Sequence, residues 1–236
     1  MKRNVKLICL ILAMVMALGV ILCGCGTKAD PKNAAYVTLT DQAELAKDKS
    51  GNYIAARALE IPEAGTTVGD LIKQLHKDLF KDGEAGYATT TGQYGETITK
   101  LWGVENGGSY GYYINGNMAM GLTDPVKPGD RVDVFIYKDA AGYSDAFIYM
   151  TAEAEGDTVK VTVQAMGFDA NWNPVMKPLA NTKIYYAEKG NLVGTGSVTD
   201  ADGIAILTLK NGTYKLVGIN NDGLYTVTAQ KLVVKK

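Results

Sequence analysis

The chain has 236 residues, enough for one large or two small domains, with 24 basic residues, 25 acidic residues and one histidine. That near-even balance supplies no basic field and argues against a nucleic-acid partner. The three cysteines, Cys9, Cys23 and Cys25, all fall within the first 25 residues, so the rest of the chain holds neither a disulfide framework nor a cysteine-based metal site.

The N-terminus reads as a leader. Lys2, Arg3 and Lys6 precede an uninterrupted apolar run over 7–22. The run is long for the apolar part of a signal peptide and slightly short for a membrane-spanning helix. It ends in Leu22-Cys23-Gly24-Cys25, which resembles a bacterial lipobox, with a small residue directly before Cys25. Cys23 fits worse, because Leu22 would then stand where a small side chain is wanted. An ordinary cleaved signal or an uncleaved anchor is the alternative. The lipobox resemblance implies a signal peptide over 1–24 and lipid on Cys25, since several acyl chains hold a protein to a membrane where one is marginal. The chain is then an extracellular lipoprotein with a membrane anchor on the outer face of the cell membrane. Loss of the leader's three basic residues leaves 21 basic against 25 acidic, a net −4. That surface has no electrostatic hold on anionic lipid.

Residues 25–35 are short and polar, a tether. Residues 36–40 alternate like a strand, and 52–61 form a second strand closed by Pro62. The charged stretch between them is a loop or turn, with a short helix over 41–49 as the alternative. Over 67–80, Val68, Leu71, Ile72, Leu75 and Leu79 recur at helical spacing, so one helix face is apolar. Thr66 or Thr67 can cap it, Asp70 sits in the first turn, and Gly83 follows as a stop. Strands are expected at 97–104, 109–115 and 131–138, with Asn115-Gly116 a strong tight-turn signal. Two strands, one helix and a return to strands predict an α+β, β-grasp-like domain over 36–139, with one helix on a small sheet. Residues 139–145 are small and polar and mark a boundary. Beyond it, 158–166, 183–186 and 204–209 alternate between turn signals, which predicts an all-β, Ig-like sandwich over 146–236.

The motifs over 66–138 carry a resemblance. They run from Thr67-Val68-Gly69-Asp70-Leu71-Ile72, through Tyr94-Gly95-Glu96-Thr97-Ile98-Thr99-Lys100-Leu101-Trp102-Gly103-Val104, to Ser109-Tyr110-Gly111-Tyr112-Tyr113-Ile114-Asn115-Gly116. They close on Val126-Lys127-Pro128-Gly129-Asp130-Arg131-Val132-Asp133-Val134. This order resembles the transcobalamin-like C-terminal domain, the β-grasp-type half of the cobalamin carriers. In the carriers this half closes over one face of cobalamin while a helical barrel holds the other, with contacts from hairpin backbone and aromatic side chains. The resemblance implies contacts between Trp102 and Met120, with no cobalt ligand. Two departures stand out: the helical barrel is missing, and the carriers' Tyr-Trp pair is Tyr110-Gly111 here. The later motifs, Pro178-Leu179-Ala180-Asn181-Thr182-Lys183-Ile184-Tyr185, Thr199-Asp200-Ala201-Asp202-Gly203 and Leu209-Lys210-Asn211-Gly212-Thr213-Tyr214-Lys215-Leu216, resemble a prealbumin-like or collagen-adhesin B-type sandwich. That resemblance implies a spacer, and Lys183 and Asn211 are conceivable partners for an isopeptide bond.

Candidate chemistry is sparse. His76 lies beside the apolar stripe between Lys73 and Lys77, where a partly exposed helix histidine is a better account than a general base. Asp200-Ala201-Asp202-Gly203 begins like a calcium loop but lacks the later ligands, and a β-turn explains it better. The best binding candidates are the aromatic residues Trp102, Tyr110, Tyr112 and Tyr113, together with Asn115, Met118 and Met120, with Tyr87 and Tyr94 nearby. On a strand Tyr110 and Tyr112 share one face and Tyr113 takes the other, so at least one belongs to a core. For each tyrosine, packing competes with binding. The expectation is a non-enzymatic surface lipoprotein with no required cofactor. It binds cobalamin or a related corrinoid and passes it to a membrane transporter for uptake. The alternative is a structural or adhesive protein that binds another protein or a glycan.

Overall fold

The computed structural model describes residues 30–62, 65–93 and 95–235. The predicted leader, Cys25, most of the tether and Tyr94 lie outside them. Residues Pro31–Lys236 form one compact unit.

The N-terminal part of that unit is α+β. Strand β1 (Ala34–Asp41) turns through Gln42 and Ala43, both at positive φ, into the two-residue β2 (Glu44–Leu45). The stretch expected as a loop or turn thus begins with a tight turn, and the alternative helix over 41–49 does not form. Strand β3 (Arg57–Glu60) returns antiparallel to β1. Helix α1 (Val68–Leu79) then follows, β4 (Ala88–Gly92) and β5 (Gly95–Lys100) make a separate hairpin, and β6 (Tyr110–Ile114), β7 (Asn117–Met118) and β8 (Arg131–Ile136) rejoin the first sheet. The order is β2-β1-β8-β6-β7, with β3 also on β1. Central β1 and β8 run parallel, with Tyr36 opposite Arg131 and Ile136 opposite Asp41.

The helix forms where the apolar spacing predicts it. Thr67 caps it reciprocally with Asp70: Asp70 N–H donates to Thr67 Oγ1 at 3.2 Å and Thr67 N–H donates to Asp70 Oδ2 at 3.0 Å. Val68, Leu71, Ile72, Leu75 and Leu79 bury against Val37 and Leu39 of β1 and Val132, Val134 and Ile136 of β8. Strand alternation sends the intervening residues to the opposite face of the sheet.

The C-terminal part is all-β. One sheet joins β9 (Ile148–Glu155), β10 (Thr158–Phe168), β11 (Pro174–Pro178) and β14 (Ile204–Thr208). The other is ordered β13 (Asn191–Val198), β12 (Lys183–Glu188), β15 (Gly212–Ile219) and β16 (Thr228–Val234). Met150, Val159, Val161, Val163 and Leu207 of the first share a core with Ile184, Leu216 and Val234 of the second. Lys183 pairs with Ile219 at the C-terminal end of β15, whereas Asn211 precedes its first residue. Eight residue steps separate Asn211 from Ile219, which puts the two roughly 26 Å apart, too far for an isopeptide bond.

The far face of the first sheet is covered by the all-β part. Tyr113 stacks on Phe147 at 3.8 Å between centroids and 12° between planes, next to Phe135. Arg131 lies over the Tyr149 ring, and its guanidinium donates to Met150 O at 2.6 Å and Ala229 O at 2.9 Å. Val227 N–H donates to Thr40 Oγ1 at 3.0 Å. Leu45, Ala55 and Ala56 pack with Val217, Val227 and Ala229.

An aromatic cleft at the end of helix α1 as the candidate functional site

Helix α1 ends at Leu79 with Phe80 as its C-cap, and its last turn meets two loops. Lys49 N–H donates to Leu79 O at 2.8 Å, which brings the loop after β2 alongside the helix end. From the other side, the turn after β5 presents Trp102, whose φ of 51° is left-handed. Such a conformation persists in a bulky residue only where its surroundings fix it. Here His76 fixes it. The imidazole is fully buried rather than partly exposed, because it is enclosed by Phe80, Tyr87 and Trp102 at ring distances of 5.9, 5.2 and 5.1 Å. Its Nδ1 lies 2.7 Å from Ile72 O, and its Nε2 accepts the Trp102 N–H at 2.8 Å. Nδ1 is thus the protonated nitrogen and the ring is neutral. Burial pushes its pKa below the ordinary histidine value, against the pull of the Ile72 carbonyl. With both ring nitrogens committed to backbone, His76 positions Trp102 and has no free lone pair for a substrate.

The result is a cleft of about 760 Å³. The half-buried Trp102 indole and the buried Phe80 ring, 4.8 Å apart edge to face, line its inner side. Lys47, Lys49, Lys81 and Lys100 stand around it with Asp48 and Asp82. Lys100 pairs with Glu105 at 2.8 Å, and Asp48 accepts the Ser50 and Asn52 N–H groups. A cleft of this size with an aromatic wall and a polar rim suits a medium to large ligand held non-covalently. Among the described residues no group of three or more His, Cys, Asp or Glu side chains is placed to hold a metal ion. Asp200 Oδ1 instead accepts the N–H groups of Asp202 and Ile204, as a turn does.

The other expected site residues are dispersed. Tyr110 faces the helix side of the sheet, and its hydroxyl bridges Thr99 O, Val104 O and Asn106 N within its own loop. Tyr112 faces the same side, half-buried, and desolvation followed by the nearby Asp124 raises its phenol pKa. Tyr113 is 3% exposed in the contact with the all-β part. Asn115 locks its turn: its amide donates to Asp130 Oδ1 at 2.8 Å and its Oδ1 accepts Arg131 N–H at 2.9 Å. Met118 and Met120 are exposed, but their loop leads to Leu122, which meets Gly69 at the start of α1. They thus lie past the opposite end of the helix from the cleft. Gly111 replaces a large aromatic of the resembled pattern for a local reason. The Phe135 ring lies directly over its Cα, and any Cβ would drive into that ring. Lys47, Lys49, Phe80 and Lys81 had no motif to mark them; they become neighbours only when the helix end meets the loop after β2.

No family model, curated protein or solved structure matches the chain.

Proposed function

We propose that the chain is a lipid-anchored surface protein that captures a ligand without chemically changing it. Its α+β part is the binding module, of the β-grasp type, and its all-β part is an Ig-like, prealbumin-like spacer. Parallel central strands flanked by antiparallel neighbours, with one helix on one face, support the β-grasp reading. The cleft at Trp102 is the observation that carries the function. It has an aromatic wall, lysines at its rim and a histidine too fully engaged to serve as a base.

A cobalamin-type corrinoid is the favoured ligand, as the motif resemblance implies. Its flat face would lie on Trp102, and its single phosphodiester would meet the rim lysines. The cleft encloses such a ligand on one side only, so binding is weak unless a membrane transporter or another partner completes the enclosure. The test is titration of residues 26–236 with cyanocobalamin and hydroxocobalamin, followed by the ligands' visible spectra and by tryptophan emission. Saturable binding that weakens about tenfold in Trp102→Ala is expected; one lost aromatic stack is worth roughly 1 kcal/mol or somewhat more. Met118→Ala and Met120→Ala leave it unchanged. Absence of binding at high concentration would sink the corrinoid reading and leave adhesion as the leading account.

A further inference from the structure

The hairpin between β10 and β11 ends in an unusual surface. Trp172 is 80% exposed and Phe168 is 54% exposed, with ring centroids 5.9 Å apart and planes inclined by 45°. Trp172 also has a left-handed backbone, φ 63°. A bulky residue tolerates that conformation only when the turn is otherwise determined. Asp169 determines it. Its Oδ1 accepts the N–H groups of Asn171 and Asn173, each at 2.8 Å, and its Oδ2 accepts the Asn173 side-chain amide at 3.0 Å. Trp172 N–H donates to Asp169 O at 3.1 Å, and Asp169 N–H to Asn173 O at 2.9 Å. These contacts, the Asn173 side chain foremost, hold the Asp169 carboxyl below its ordinary pKa. The indole is thus presented on a pre-formed turn, at low entropic cost to a ligand.

The two charged side chains at this tip are of opposite sign, and each bonds within it: Asp169 as above, and the exposed Lys177, whose ammonium donates to Phe168 O at 2.7 Å. With no net charge from that pair, the tip offers a ligand two exposed aromatic rings and the exposed amide of Asn171, whose side chain has no partner among the described residues. Flat apolar area beside a free donor and acceptor matches a ligand with C–H faces and hydroxyl edges but no charge. We infer that the Phe168–Trp172 tip is a binding site for neutral polysaccharide, with a sugar ring stacked on the Trp172 indole and hydroxyls bonded to Asn171. The tip's position favours a glycan over the bilayer. Arg131 at the start of β8 lies over Tyr149, and Phe135 near its end lies by Phe147, so β9 runs back along β8. Antiparallel β10 then leaves beyond the C-terminal end of β8. The chain enters with β1, parallel to β8, at the other end. This positional argument alone rests on the lipid-anchor reading; the charge argument does not.

The chain has two tryptophans, so Trp102→Phe leaves Trp172 as the single reporter. Residues 26–236 carrying Trp102→Phe would be tested for retention on cellulose, chitin, xylan and starch, in 0.05 and 0.5 M NaCl. Soluble oligosaccharides of the retained polymer would then be titrated against Trp172 emission. The expected result is retention on at least one polymer, insensitive to salt, with a saturable blue shift. Trp172→Ala should reduce retention at least tenfold with unchanged thermal midpoint, and Asn171→Ala to a lesser degree. Three results would overturn the inference: no retention on any of the four polymers, retention abolished by salt, or loss in Trp172→Ala of binding to phosphatidylglycerol vesicles but not to glycan. Because the corrinoid titration reads the Trp102 cleft, each result stands or falls independently of the other.

Discussion

His76 illustrates how one buried side chain sets the geometry of another. Its neutral ring ties the last turn of α1 to the Trp102 backbone, and protonation of Nε2 would delete the acceptor for that N–H. The folded-state pKa is depressed by burial, so the unfolded chain takes up a proton more readily. This contribution to stability is complete above the unfolded value of about 6.5. It declines as pH falls below that value, through the lower folded-state pKa. Since the chain has one histidine, its imidazole resonance can be followed directly by NMR. We expect a midpoint below that of a free histidine, with Trp102 emission in a Trp172→Phe background changing over the same pH range. A midpoint at or above 6.5 would contradict the buried, doubly bonded ring.

Among the elements, α1 was the most legible in the sequence, and its start was legible to within a residue, with Thr67 rather than Thr66 as the cap. The Thr67–Asp70 pair satisfies two N–H groups at the helix start that have no partner within the helix. Thr67→Ala should lower the unfolding free energy by about 1 kcal/mol, measured by urea titration at pH 7. A change below a few tenths would mean that the cap is redundant with packing. Strands were less legible at their ends. The β1–β2 turn places Gln42 and Ala43 at positive φ, and neither residue type signals that conformation. The β4–β5 hairpin stands apart from the other three sheets, so no buried face imposed a clear alternation on β4, and only β5 was anticipated.

The whole molecule is governed by the contact between its two parts, and this contact reassigned several residues. Asp133 alternates away from the α1 core and is buried in that contact at 4% exposure, with Oδ2 lacking a hydrogen bond among the described residues. Burial raises its pKa to about 6, against the lowering effects of Arg131 and the Thr38 hydroxyl. The folded value is raised above the unfolded one. Its stabilising share is therefore fully present below about pH 4 and lost as pH rises through 6. A displacement of two units corresponds to roughly 3 kcal/mol as an upper bound. Asp133→Asn is accordingly expected to raise the unfolding free energy at pH 7.5 by about 1–3 kcal/mol and to gain about half as much at pH 5. Equal gains at the two pH values would show that packing rather than ionisation is responsible. Because His76 acts in the opposite sense over part of this range, the comparison is made between variant and parent at each pH.

Local information in the sequence determined α1, its cap, the Asn115-Gly116 turn and the alternation of the main strands, because each depends on neighbours a few residues away. The split of Tyr112 and Tyr113 between two faces followed from alternation alone. The site did not follow in the same way. Trp102 belongs to it, but its partners Lys49, Phe80 and Lys81 come from segments that meet only when the helix end packs beside the loop after β2. Likewise nothing in the order of residues marks Tyr113 as buried against Phe147 or Arg131 as packed on Tyr149. Periodicity tells which side chains share a face. What covers that face is decided by long-range packing, and this separates the aromatic residues left open to a ligand from those spent on holding the molecule together.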